Sequence, residues 1–167
     1  MTTATKWKLA RGKTWRQKLE HEHPNHGKIV PVPPHMQKAF GKGTMLIPRP
    51  RDVEAIMRGV KKGKVILRAQ IRRKLAAEGR ADSACPLSTG LFIRIVAEAA
   101  EEDRRSGKKR VTPYWRTLKD DGSLDAKFPG GVQAQAERLR DEGLTVQIAT
   151  SGRTMKVRDF ERHAVKP

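Results

Sequence analysis

"GKVILRAQIRRKLAAEGRADSACPLSTGLFIRIVAEAAEEDRRSG", residues 63–107, decides the fold. It opens on a short apolar run and then turns helical. Ile71 and Leu75 stand one turn apart, and Gly79 supplies a stop. A longer helix follows. Asp82 or Ser83 sits where a cap belongs, Pro86 suits a first turn, and Leu91, Ile95 and Ala99 recur on one face. Two helices across a short turn form a helix-turn-helix pattern, in which residues 84–104 would be the second helix.

Reading outward, "PRPRDVEAIMRGVKKG" at 48–63 predicts a helix with Val53, Ile56, Met57 and Val60 inward and Gly63 as its stop. Downstream, Asp121-Gly122 signals a tight turn. "PGGVQAQAERLRDEG" at 129–143 predicts a helix that buries Val132, Ala136 and Leu139 and ends at Gly143. "LTVQIA" and "TMKVRDF" alternate around Ser151-Gly152 and predict a C-terminal β-hairpin. Residues 1–49 are basic and broken by Pro and Gly. Trp15 and Leu19 allow one short helix in "KTWRQKLEH", while the rest is expected to be extended or disordered without a partner. His21, His23 and His26 read as a solvated loop, since no Cys or convincing fourth ligand lies near.

Charge points to the partner. The chain carries 36 Lys and Arg against 18 Asp and Glu. Residues 1–74 hold 19 basic and 4 acidic side chains, a net of +15, while residues 75–167 net +3. A small neutral substrate requires no such field, but a polyanion does, because neutralised phosphates release counterions. The single cysteine, Cys85, excludes an internal disulfide and a thiolate zinc site. No apolar run nears the roughly 18–20 residues that span a bilayer. The start "MTTATKWKLARGK" lacks a signal peptide's apolar stretch, so a cytoplasmic protein is expected, nucleoid-associated if bacterial. No Walker-type loop and no Ser/His/Asp set is visible. Neither cofactor nor metal is expected, and the partner is nucleic acid, duplex DNA before RNA, with no membrane and a monomeric chain.

"TPYWR" at 112–116 poses the functional question. The chain has three Trp and one Tyr, and two of these four rings are adjacent here. One ring suits a core, whereas two suit a site that encloses something flat.

The ordered set of these parts, over about residues 50–146, resembles the DNA-binding domain of the O6-alkylguanine-DNA alkyltransferases. In particular it resembles their alkyltransferase-like relatives, as a bacterial branch lacking the reactive cysteine. Gly63-Lys64-Val65 matches the family's strand start, the helix-turn-helix comes next, and Gly130-Gly131 and Glu142-Gly143 frame the helix after the "DG" turn. Aligned on Pro113 and Arg116, the family's Pro-Cys-His-Arg motif has Tyr114 in place of cysteine and Trp115 in place of histidine. Glu142 persists without a thiol to activate. A phenol with no base beside it is a poor nucleophile, so the resemblance implies no enzyme. Cys85 is expected to be a packing residue rather than a displaced nucleophile.

The resemblance implies an α/β (α+β) fold. A winged helix-turn-helix domain over 50–167 follows a basic arm over 1–49 and ends in the hairpin. The implied function is non-catalytic binding of alkylated or distorted duplex DNA. An RNA- or ribosome-associated protein and an active alkyltransferase are the alternatives. Pro113, Tyr114, Trp115, Arg116 and Glu142 would form the floor of a lesion pocket, with Tyr114 either stacking on an extruded base or plugging a vestigial pocket. Trp115 is expected to be the more buried ring. Lys61, Lys62, Lys64, Arg68, Arg72 and Arg73 would hold the backbone. Ser88 and Thr89 would bond phosphates at the helix start. Leu87 falls near the family's intercalating arginine, and Arg68 at its base-rotating tyrosine; an apolar wedge can also part base steps.

Overall fold

The computed structural model describes residues 9–166; the first eight residues of the basic arm and Pro167 lie outside them. The fold is mixed α/β, with small sheets around one long helix. Helix α1 is Trp15–Glu20, strand β1 Ile29–Pro31, α2 Gln37–Phe40 and β2 Thr44–Leu46. Helix α3 (Pro50–Arg58), β3 (Ile66–Leu67), α4 (Arg68–Gly79), β4 (Ser83–Ala84) and α5 (Pro86–Arg105) follow. Then come β5 (Thr117–Leu118), α6 (Gly131–Asp141), β6 (Val146–Ile148), β7 (Met155–Val157) and α7 (Phe160–His163). Among the described residues no helix is long and apolar enough to cross a membrane.

The helix pair α4–α5 has the expected order, with α5 running Pro86–Arg105 where 84–104 was expected. Ile71 and Leu75 are buried, and α5 buries Ile95 and Ala99 against α1, α3 and α4. Two details of the caps differ. Cys85, not Asp82 or Ser83, is the N-cap of α5. Asp82 instead accepts hydrogen bonds from the Thr44 backbone N–H and hydroxyl, and the Ser83 hydroxyl donates to the Thr44 carbonyl. Helix α3 is capped at Gly59, four residues before the predicted stop, and Gly63 (φ 79°) lies in the turn beyond. The Asp121-Gly122 turn is present; Gly122 has φ 83°, and a Cβ there would fall 2.3 Å from the Phe160 ring. Helix α6 and the β6–β7 hairpin form as predicted, with Val146 opposite Val157.

The boundary read at residue 49 falls inside one packed unit. Leu19, Val32, Met45 and Leu46 are buried. Strand β1 pairs antiparallel with β2, and β2 pairs parallel with β4, so the arm forms most of a three-stranded sheet that ends in the turn of the helix pair. Helix α1 docks on the acidic end of α5. The backbone N–H groups of Trp15 and Arg16 donate to the Glu102 carboxylate at 3.0 and 3.2 Å. Arg16 bridges Glu54 (2.9 Å) and Asp103 (2.6 Å). The expectation of an extended arm went wrong because its apolar residues are few and dispersed. Periodicity within the arm is weak, and burial comes from distant partners. The histidine loop is likewise pinned: Gly27 N–H donates to the Ile47 carbonyl, and the His26 ring meets Phe92 edge-on at 5.2 Å.

Candidate nucleic-acid interface

Two sets of predicted residues end up in two different environments. The first is the "TPYWR" turn. Thr112 and Pro113 are buried, and residues 114–116 make a single 3-10 turn leading into β5, which pairs parallel with β3. Tyr114 is only 2% exposed. Its ring meets Phe128 and Trp115 edge-on at 5.4 and 5.5 Å, and its hydroxyl donates to Glu101 at 3.1 Å. Burial, and then the Glu101 charge, push the phenol well above its ordinary range. Tyr114 is thus enclosed by its neighbours and presents no open face on which a base could stack in this arrangement. The burial order is also inverted, since Trp115 is the half-buried ring. Its indole N–H donates to Glu142 at 2.9 Å, and the Arg138 guanidinium covers its face at 4.5 Å. The ring is thus held between Glu142 at its polar edge and Arg138 on its face.

Glu142 holds this region together. Arg116 donates to both of its carboxylate oxygens, and the Gly63 backbone N–H adds a third partner at 3.2 Å. Burial acts to raise the carboxyl, but the bonds from Arg116, Trp115 and Gly63 outweigh it and hold it below the ordinary range. The sign follows: a depressed carboxylate contributes stability above its unfolded value of 4.5 that is lost as pH falls through the folded value. Arg116→Ala should cost about 3–5 kcal/mol, as for a broken buried pair. It should also flatten the acid dependence of the melting temperature below pH 4.5. Thermal melts from pH 3 to 7 check both (roughly the span over which carboxylates titrate).

The second set converges on the start of α5. Arg68, Arg72, Thr89, Gly90 and Lys119 line a cavity of about 340 Å³ against Pro86, Ile93 and Asp120. Leu87, 76% exposed, stands on the first turn of α5, with Ser88 half-buried beside it. Two assignments here are corrected. Thr89 is buried and its hydroxyl donates to the Cys85 carbonyl at 2.7 Å, so it has no bond to offer a phosphate. Arg68 forms an ion pair with the buried carboxylate of Asp125. Beside it, Asp120 accepts from Ala69 N–H at 2.7 Å and pairs with Arg72 at 3.4 Å. Arg73, Lys61, Lys62 and Lys64 are exposed, and among the described residues no carboxylate pairs with them. The three lysines do not line the cavity. Their turn is tied by Gly63 to Glu142, while Arg68 begins beyond the other end of β3.

Lys119 and Asp120 were missed because a "DG" turn carries no directional signal; only the β3–β5 pairing brings them beside α4. The acids at the end of α5 are consumed internally. Glu101 pairs with Arg104 and Arg138, and Asp103 with Arg16 and Lys108. Cys85, half-buried, packs at the cap, where its N–H donates to the Leu46 carbonyl.

No family model and no curated protein matches the chain. Two solved structures are similar to it. One is S. pombe Atl1 in complex with damaged DNA containing O6-carboxymethylguanine, at 18% identity and a TM-score of 0.49, covering 71% of this chain and 94% of that one. The other is S. pombe ATL in complex with DNA, at 16% identity and a TM-score of 0.48, with the same coverage.

Proposed function

We propose that the chain is a non-catalytic DNA-binding protein of the alkyltransferase-like type, which recognises alkylated or distorted duplex DNA. The observation that carries this is the exposed Leu87 beside a cavity edged by Arg72 and Lys119 at the start of α5. An apolar side chain in that setting suits entry between base steps, with cations for the flanking phosphates.

Tyr114 supports a role without alkyl transfer. A phenol held protonated, buried and hydrogen-bonded to a carboxylate has neither the charge nor the access of a nucleophile. Because the space beneath it is filled, discrimination would rest on how easily a base pair parts. A weakened pair costs less to unstack than a sound one. Any lesion or mismatch that weakens pairing would then be favoured, whatever its chemistry.

The electrostatic share is testable alone. With six or so phosphate contacts, affinity for plain duplex DNA should fall about three orders of magnitude between 50 and 200 mM salt. Anisotropy titrations over that range give the slope, and a slope near zero rejects the cationic interface.

A further inference from the structure

The 340 Å³ cavity adjoins a second one, of about 190 Å³, through their shared side chain Arg72. The smaller cavity lies between the arm and α4. Phe40, at the end of α2, lines it together with Ala69, Arg72, Arg73 and Ala76 of α4. Two observations fix its shape. The parallel pairing of β2 with β4 and the Thr44–Asp82 bonds hold the arm against the helix-pair turn. Gly43 permits this close approach, since a Cβ there would fall 2.4 Å from the Asp82 carboxylate. The half-buried Phe40 shares this cavity with small side chains and two guanidinium groups.

We propose that this cavity receives a single unpaired nucleotide, its base stacked on Phe40 and its phosphate held by Arg72 and Arg73. This rests on the duplex-binding reading above and adds to it a place for a displaced base. The size fits one base, and an aromatic face with flanking cations is the chemistry by which unpaired nucleotides are bound. The carboxylate in the lining, Asp82, is engaged by Thr44 and repels phosphate, which sets the phosphate at the arginine side. The space under Tyr114 is filled, so it offers no competing berth.

The test compares a duplex carrying one extra unpaired thymidine with the same duplex lacking it. Wild-type protein should bind the bulged duplex about tenfold tighter. Phe40→Leu, which keeps an apolar side chain without the ring, and Arg73→Ala, at an exposed position, should each bring the ratio towards one. Both should leave affinity for the plain duplex within about twofold for Phe40→Leu and lower by one phosphate contact for Arg73→Ala. Equal binding of both duplexes by wild type, or an unchanged ratio in both variants, overturns the proposal. Failure of wild type to bind either duplex at low salt overturns the duplex-binding reading itself, and this proposal with it.

Discussion

Removal of residues 1–48 should unfold the chain. The deletion takes away Leu19, Val32, Met45 and Leu46, all buried. At about 1.5–3 kcal/mol for each buried side chain, the loss is about 6–12 kcal/mol. A domain's entire stability is about 5–15 kcal/mol. The deletion also strips Arg16 from Glu54 and Asp103, which leaves two largely buried carboxylates with only Arg58 and Lys108 as cations. Strand β4 loses its partner β2, and with it the anchor of the turn between α4 and α5. The truncated chain should show no cooperative thermal transition by circular dichroism. A cooperative melt near that of the full chain would show the arm to be dispensable.

Tyr114→Ala should be as damaging as Arg116→Ala in the "TPYWR" turn. The ring is enclosed by Phe128, Trp115 and Arg138, so truncation leaves a cavity and should cost about 3–5 kcal/mol. For a chain of this size the melting temperature should fall by about 10 °C. Tyr114→Phe removes only the bond to Glu101, which keeps Arg104 and Arg138, so about 1 kcal/mol is expected. Neither variant should change affinity for plain duplex DNA, because the phosphate-binding cations lie elsewhere. If Tyr114→Ala melts like wild type and loses affinity only for damaged duplex, the ring is a contact surface and not a plug.

The elements whose own residues alternate or recur were legible before any coordinates. Ile71 and Leu75 in α4, Ala136 and Leu139 in α6 and the β6–β7 alternation all appear where periodicity placed them. What periodicity could not carry was pairing between distant segments. Strand β2 runs beside β4 across the whole α3–α4 stretch, and nothing in "TMLIP" announces that partner. The same gap explains the site. Arg68 and Thr89 are polar residues in the right place along the chain, yet Asp125 and the Cys85 carbonyl claim them in three dimensions. Phe40 was invisible for the opposite reason: a lone aromatic in a Pro- and Gly-rich arm gives no hint of the arginines that share its cavity. Nothing in "TPYWR" itself says which of two adjacent rings points inward, and the expectation that Trp115 is the more buried ring is inverted.

The central claim is that Leu87 and the cations around it select duplexes whose base pairs part easily. Dissociation constants at one fixed salt concentration test it directly, for a matched duplex, the same duplex with one O6-methylguanine, and the same duplex with one G·T mismatch. Both weakened duplexes should bind about tenfold tighter than the matched one, and by similar factors, since the cost of unstacking is reduced in each. Equal affinity for all three, or a preference confined to the alkylated duplex, would contradict it.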